Sequence, residues 1–334
     1  MTDQEQVNYR GPIFIVGMPR SGTKLLRDVL NRHSKVAIME IESHFIPYLV
    51  RVFGDPPDFG PGDFDSFIQA FKRTTFYLNM VRIKKRELDP AFLDHLRYPY
   101  SWNEIFTALF CFYMPPGKDQ DALIGDKTPG YMNNISQLSR IFPGAIFLHI
   151  IRDPRDYALS VKRSFGKSIL RAADRWSKAV AKARGEGQKY DGQYFEVRYE
   201  DLLDDPEKTM MQVCSYLNIE FDPAMMHLDY PSENLGDTQG ALEIVRSNKG
   251  KYRELIPASI LLRVEQIVFS TAQELGFTMD LAVKARPLNL VEQRLYLMYD
   301  GFASILFHIR TKGVVLGLEY FIKHYFKSSW RSFS

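Results

Sequence analysis

The chain has 334 residues, 45% of them hydrophobic and 25% charged, with 21 Gly and 18 Pro. This is the balance of an average soluble globular chain; it excludes a wholly disordered or collagen-like polypeptide, and the length suits two domains or one large α/β domain. The net charge of +3 comes from the tail, because residues 286–334 carry seven Lys/Arg against three acids and the rest sums to −1; so neutral a body does not point to nucleic acid as a partner.

Ile13-Phe-Ile-Val16 is apolar on both faces, the pattern of a central parallel strand. A turn from Gly17 to Thr23 follows, and Lys24–Asn31 sets Leu25, Leu26, Val29 and Leu30 on one helical stripe. Val36–Met39 reads as a second short strand. Residues 54–63 form a loop, Asp63 caps a helix from Phe64 to about Asn79, and Trp102–Met114 is a helix stopped by Pro115-Pro116-Gly117. Ile124–Asp126 is a brief strand or turn, Tyr131–Phe142 a helix, and Ala145–Ile151 the clearest buried strand. After a turn at Arg152-Asp-Pro-Arg155, Asp156 opens a helix to Phe165. Tyr194–Val197 is a strand, and helices follow at Glu207–Leu217, Pro257–Leu275, Leu288–Arg310 and Gly313–Lys327. Strands alternating with helices predict a P-loop-type α/β fold, a parallel sheet covered by helices on both faces, over residues 1–285. A basic, aromatic helical extension takes up 286–334.

The loop Gly17-Met-Pro-Arg-Ser-Gly-Thr-Lys24 joins a strand to a helix N-terminus, where backbone N–H groups converge with the positive end of the helix dipole. Arg20 adds a bidentate donor set and Ser21 and Thr23 add hydroxyls, so a phosphate is the natural occupant. Gly17 and Gly22 fit the GxxxxGK[ST] spacing of a nucleotide loop, but Thr23-Lys24 reverses the Lys–hydroxyl order that serves Mg-ATP. A P-loop kinase is therefore the weaker reading, and a purely structural turn weaker still. A second strand–turn–helix places Arg152 just past a strand's C-terminal end, where open α/β sheets bind ligands, with Ser160 one turn into the next helix. As a magnesium-holding strand ending at Asp153 it is spoiled by Arg152.

Together these segments resemble the sulfotransferase superfamily that uses 3′-phosphoadenosine 5′-phosphosulfate (PAPS). FIVGMPRSGT resembles that family's 5′-phosphosulfate loop, with Lys24 where a second Thr is usual. The resemblance implies that Arg20, Ser21, Gly22, Thr23 and Lys24 cradle the 5′ end, and that Arg152 and Ser160, in IIRDPRD and its helix, hold the 3′-phosphate. Gly125-Asp-Lys-Thr-Pro129 resembles the KTP segment, and Arg198-Tyr-Glu-Asp-Leu202 the RYEDL segment, with Tyr199 near the adenine. Asn248–Arg253 resembles, more loosely, the loop that closes over the nucleotide, which brings in Lys249 and Gly250. The likeness runs from Pro12 to Phe277 and is strongest to the bacterial and tyrosylprotein branch, judged by PRSGT and Glu42-Ser-His-Phe-Ile-Pro47.

That family moves a sulfuryl group from PAPS to an acceptor hydroxyl by in-line displacement without a metal, and no His/Cys cluster here has zinc spacing. Positioning and charge stabilisation do most of the work in such transfers. Glu42 is the candidate base, from the branch's E-[ST]-x-x-I-P setting; His44 is the competing one, and an extended segment puts Glu40, Glu42 and His44 on one face. Lys127, expected on a turn, and Arg20 are the electrophilic groups. His149 and Trp176 read as core. A non-catalytic nucleotide-binding module would keep Arg20, Arg152 and Ser160, but Glu42 and Lys127 together argue against it. Carbohydrate, lipid, small alcohol and peptide tyrosine are all open as acceptor.

Ten aromatics lie between Tyr296 and Phe333, beside the basic charge. Such a tail suits packing on the body, the preferred reading, and also suits dimerisation or peripheral contact with an anionic membrane. The N-terminal residues do not have the form of a signal peptide, and no apolar run reaches the ~18 residues of a membrane span. Cys111 and Cys214 are far apart and outside any CxxC, so two buried free thiols in a reducing, cytoplasmic setting are expected.

Overall fold

The five strands of the computed structural model, which describes residues 11–55, 63–96, 101–119, 121–232 and 238–313, all pair in parallel. β1 (Ile13–Gly17), β2 (Val36–Ile38), β3 (Leu123–Lys127), β4 (Ile146–Ile151) and β5 (Tyr194–Arg198) stand in the order β2-β3-β1-β4-β5. The helices in chain order are α1 (Thr23–Leu30), α2 (Ile46–Phe53), α3 (Asp63–Lys72), α4 (Thr75–Lys84), α5 (Pro90–Leu96), α6 (Trp102–Tyr113), α7 (Ile135–Ile141), α8 (Pro154–Phe165), α9 (Ile169–Gly187), α10 (Tyr199–Asp204), α11 (Pro206–Leu217), α12 (Tyr252–Leu255), α13 (Ala258–Glu274) and α14 (Leu290–Lys312).

The chain divides into two compact units, one holding residues 1–151, 182–232 and 240–244, the other 152–181, 233–239 and 245–334. The whole sheet belongs to the first. Its strands are apolar on both faces because both are covered. Successive side chains alternate, so Ile13 and Ile15 of β1 face one way with Ile146, Leu148 and Ile150 of β4, against Leu26 and Val29 of α1, Leu202 of α10 and Val213 of α11. Phe14 faces the other way and meets Phe110 of α6, Tyr131, Phe142 and Phe147 at ring separations of 5.5–6.2 Å. The register pairs Ile15 with Lys127 and Val16 with His149, which brings the C-terminal ends of β1, β3 and β4 level.

The second unit is helical. α8 packs on α12, α13 and α14, with Leu159, Tyr252, Ile256 and Leu261 at its centre. Fully buried Glu265 of α13 accepts from Arg155 (2.8 Å) and from the backbone of Asp280, Leu281 and Ala282 (2.7–2.9 Å), so the buried carboxylate is fully bonded. Asp300 holds α14, accepting from the Ser168 N–H (2.7 Å) and Arg171 (2.8 Å). Residues 314–334, with nearly all of the helix predicted at Gly313–Lys327, lie outside the described residues. No helix among the described residues is long and apolar enough to cross a membrane.

Several elements differ from expectation. The single helix expected from Phe64 to Asn79 is two, because Thr74 adopts an extended conformation, donates to the Phe71 carbonyl (2.7 Å) and caps α4 through Tyr77 N. Lys127 ends a strand instead of lying on a turn, since β3 is paired on both sides. Residues 129–133 form a 3-10 turn ahead of a shorter α7. No element is predicted between Phe165 and Tyr194, where the chain builds the 19-residue α9; besides Trp176 and Val180 its buried positions are small or polar (Ala172, Ala173, Asp174, Ala183 and Gly187), which weakens the apolar periodicity. Neither cysteine is in a disulfide, but Cys111 is exposed, on the side of α6 opposite its buried Ile105, Leu109 and Phe110. His149 is core as expected, its Nδ1 against the Tyr194 hydroxyl at 2.5 Å, and burial lowers its pKa to about 3.

Candidate active site

Local backbone geometry shapes the loop after β1. Gly17 has φ 149°, and a Cβ there would stand 2.6 Å from the Ile150 carbonyl oxygen. Arg20 has φ 77°, a left-handed conformation that a non-glycine residue adopts only where its surroundings impose it. Gly22 has φ 89° and precedes α1; an added Cβ would lie 2.3 Å from the Tyr199 ring. Tyr199, expected beside the adenine, thus packs on the second glycine of the loop. Ser21 and Thr23 are buried, and Arg20 and Lys24 are partly exposed. The Ser21 Oγ has no hydrogen-bond partner among the described residues, so a buried hydroxyl is left to bond whatever the loop takes up.

A second group forms where the segment after β2 crosses the end of β3. Glu42 accepts from Lys127 Nζ on Oε1 and from His44 Nε2 on Oε2, the latter at 2.8 Å. Burial pushes the Glu42 carboxyl up, but the His44 bond and the Lys127 charge and bond outweigh it and hold it down to about 2. The bond to Glu42 raises His44 above its usual value against the effect of burial, and burial lowers Lys127 against the pull of Glu42. Glu42 is partly exposed and His44 exposed, while Ser43 and Phe45 are buried, but the extended segment expected from Glu40 through His44 is broken at His44, whose φ is 52°. Glu40 is set apart, ion-paired to Lys84 on α4.

Beneath this pair lies a network to which the sequence assigns no role. Asp126, fully buried, accepts from Ser43 Oγ (2.8 Å) and from Ser43 N (3.3 Å). Ser43 N also donates to Thr128 Oγ1 (2.9 Å), and Ser43 Oγ lies 2.7 Å from the Tyr131 hydroxyl, which accepts from Ile46 N (3.2 Å). Burial raises Asp126 to about 6, with the Thr128 and Ser43 bonds and Lys127 opposing it. Phe45 completes the anchor, its ring 5.1 Å from Phe71 and Phe76. Ser43 and Asp126 both lie inside recognised motifs; what marks them is an acid within a buried strand, which needs a buried partner.

The remaining expected residues belong to the second unit. Arg152 donates to the Asn248 carbonyl (3.1 Å), and its own carbonyl accepts from the Trp176 indole (3.1 Å). Asp156, on the first turn of α8, accepts from Gly250 N and from Tyr252 N (3.0 Å). These bonds bring Asn248, Lys249 and Gly250 to Arg152 and the start of α8, where Ser160 lies one turn on. Asn248 and Asp156 are the residues here that sequence reasoning left without a role.

The family model described as the sulfotransferase family matches residues 12–223. The chain belongs to that family. Among curated relatives, protein-tyrosine sulfotransferase 1 of Danio rerio is 24% identical over 225 residues, 64% of this chain and 55% of the relative. A putative protein-tyrosine sulfotransferase of Caenorhabditis briggsae is 24% identical over 234 residues, 66% of this chain and 70% of the relative. The chain therefore spans little more than half the length of the first of these. Among solved structures, the sulfotransferase domain from the curacin biosynthetic pathway matches with a TM-score of 0.53 at 20% identity, over 81% of this chain and 99% of that one. The sulfotransferase domain of the Synechococcus PCC 7002 olefin synthase matches with 0.52 at 22%, over 81% and 98%. At such identities the likeness is one of fold: a parallel α/β sheet flanked by helices.

Proposed function

We propose that this chain is a sulfotransferase that moves a sulfuryl group from PAPS to an acceptor hydroxyl by in-line displacement. The observation that carries the proposal is the Glu42 carboxylate bonded at once to buried Lys127 and to His44, in a chain of this family. The loop's residues fit an anionic donor, because the Ser21 hydroxyl is buried without a partner and the Gly22 backbone leaves no room for a side chain. Arg20, Ser21, Gly22, Thr23 and Lys24 would hold the 5′ end of PAPS, and Arg152, Ser160, Lys249 and Gly250 its 3′-phosphate. Tyr199, whose ring packs on Gly22, would lie near the adenine. When bound, PAPS supplies the sulfuryl group and a phosphate leaving group.

The chain's own residues divide the remaining work. Glu42 takes the proton of the acceptor hydroxyl. In the resting pair its affinity for a proton is low, held to about 2. When Lys127 turns its charge toward the oxygens on which negative charge develops, Glu42 loses part of what suppresses its basicity and becomes the stronger base. His44 remains on Oε2 and keeps the carboxylate aimed, while Ser43, tied to Asp126, fixes the segment. Arg20 adds a second cation beside the loop.

The relatives named for protein tyrosine make a tyrosine-bearing peptide the first acceptor to try. With both cysteines free, we assign the reaction to a reducing compartment, the cytoplasm. The test is calorimetric binding of 3′-phosphoadenosine 5′-phosphate (PAP) together with turnover. Wild type binds PAP, Arg152→Ala loses that binding, and Glu42→Gln keeps it while losing transfer. A chain that prefers ATP to PAP, or a Glu42→Gln variant with full turnover, overturns the assignment.

A further inference from the structure

α14 turns an apolar stripe outward. Val291, Leu295, Met298, Phe302 and Leu306 are 56–67% exposed and recur every three or four residues, so they share one side of the helix. Its other side is the anchored one, with Asp300 on Ser168 and Arg171 and Phe307 against Phe165. A single exposed leucine is ordinary; a continuous apolar stripe marks a surface that meets something. The flanks of the stripe carry exposed Arg294 and Arg310. The nearby acid, Glu292, is bonded to Arg263 and to its own helix cap.

A cavity of about 310 Å³ opens at the N-terminal end of this stripe, between α9 and α14 of the same unit. Arg171, Asp174, Arg175 and Arg294 line it together with Leu290 and Leu297. Asp174 is paired with Lys178 and Arg171 with Asp300, both at 2.8 Å. Arg175 and Arg294 form no ion pair among the described residues and are exposed. The cavity is thus a cationic recess with an apolar rim that continues into the stripe.

We propose that this face of the helical unit docks on an anionic phospholipid bilayer, with the α14 stripe lying in the interface and Arg175 and Arg294 receiving a headgroup phosphate. Charge decides between occupants. A second copy packed stripe to stripe would set basic flank against basic flank, which is repulsive, whereas an anionic surface meets cations at both flanks and in the recess. Residues 314–334 add Lys323, Lys327 and Arg331 against Glu319, the same sign of charge. The inference does not depend on which reaction the chain performs.

The experiment is co-sedimentation of the full chain with vesicles of phosphatidylcholine alone and of phosphatidylcholine with phosphatidylglycerol. The chain sediments with the anionic vesicles and not with the neutral ones, binding falls as salt rises, and millimolar inorganic phosphate does not displace it. Phe302→Asp with Leu306→Asp, and separately Arg175→Glu with Arg294→Glu, each reduce vesicle binding at least about tenfold. All four side chains are exposed, so melting temperatures stay at the wild-type value, and the wild-type comparison of the two vesicles tests the proposal even where a variant does not fold. Absence of binding to anionic vesicles, or equal binding to both kinds, overturns it. So does displacement by free phosphate, or a vesicle-free dimer that Phe302→Asp dissociates, which would give the stripe to a second copy.

Discussion

Lys127 and Glu42 form an asymmetric pair: the lysine side chain is 2% exposed and the glutamate 36%. The cation lies at the end of a central strand, bordered by Ile15 in register, while the carboxylate reaches solvent. The carboxylate is thus the member of the pair that is open to solvent, while the lysine charge is kept from water.

Lys127→Met separates chemistry from stability. It removes a charge from a site that desolvates it and leaves Glu42 able to hydrate. Removing one member of a fully buried pair costs about 3–5 kcal/mol because the other charge is left uncompensated, but Glu42 is 36% exposed and can hydrate, so the loss of stability should stay below that range. Transfer should fall by about 100-fold or more, the loss typical when a group that stabilises developing charge is removed. Urea denaturation and steady-state rates on the same preparation check both; an active or unfolded variant contradicts the assigned role.

The Glu42–His44 bond sets a pH window. Glu42 is lowered from 4.5 to about 2, so its contribution to stability is present above about pH 4.5 and is lost as pH falls toward 2. His44 is raised, so its contribution is present below its ordinary 6.5 and is lost as pH climbs through its raised value. The difference in melting temperature between wild type and Glu42→Gln should therefore be greatest between about pH 4.5 and 6.5 and shrink on both sides. A difference that is flat from pH 2 to 9 would refute the bond's role.

His44 and Glu42 also differ as bases. If the carboxylate takes the proton, Glu42→Gln abolishes transfer, while His44→Gln, which can still donate to Oε2, retains at least about a tenth of the rate. The reverse ranking in single-turnover measurements would assign the proton to the imidazole.

Ser43→Ala leaves buried Asp126 without the Oγ donor and also removes the contact to Tyr131. An unmet buried acceptor costs about 1–3 kcal/mol. Because Ser43 acts through the segment that carries Glu42, kcat should fall while the KM for PAPS stays near wild type. A change in PAPS KM alone would place Ser43 in donor binding instead.

Two glycines give a matched pair of tests. Gly22→Ala drives a methyl into the Tyr199 ring at a residue with φ 89°, whereas an added Cβ at Gly130 meets nothing within 4 Å. The first should lose PAP binding and several degrees of Tm; the second should differ little in either. Equal behaviour would mean that Tyr199 moves freely and does not brace the loop.

Much of the fold was legible from residue order. The apolar runs at β1 and β4, the glycine loop between β1 and α1, and the alternation of strands with helices predict a parallel sheet covered on two sides, and the five strands do pair in parallel throughout. Glu42 and Lys127 are singled out by the family resemblance of their motifs, and the structure pairs them, though Lys127 ends a strand and not a turn. Helix α9 was not legible, since small and polar residues fill much of its buried side without producing a strong apolar period. Nor was the break at Thr74, where one side chain satisfies two backbone groups.

What tertiary structure alone decided is partnership across long separations. Ser43 and Asp126 stand 83 residues apart in the chain, and Gly250 and Asp156 94 apart. A local pattern carries no record of such contacts, because they exist only once parallel strands align their ends and loops fold back over them. The residue types came from the sequence; the low proton affinity of Glu42 arises from the two donors that folding brings to it.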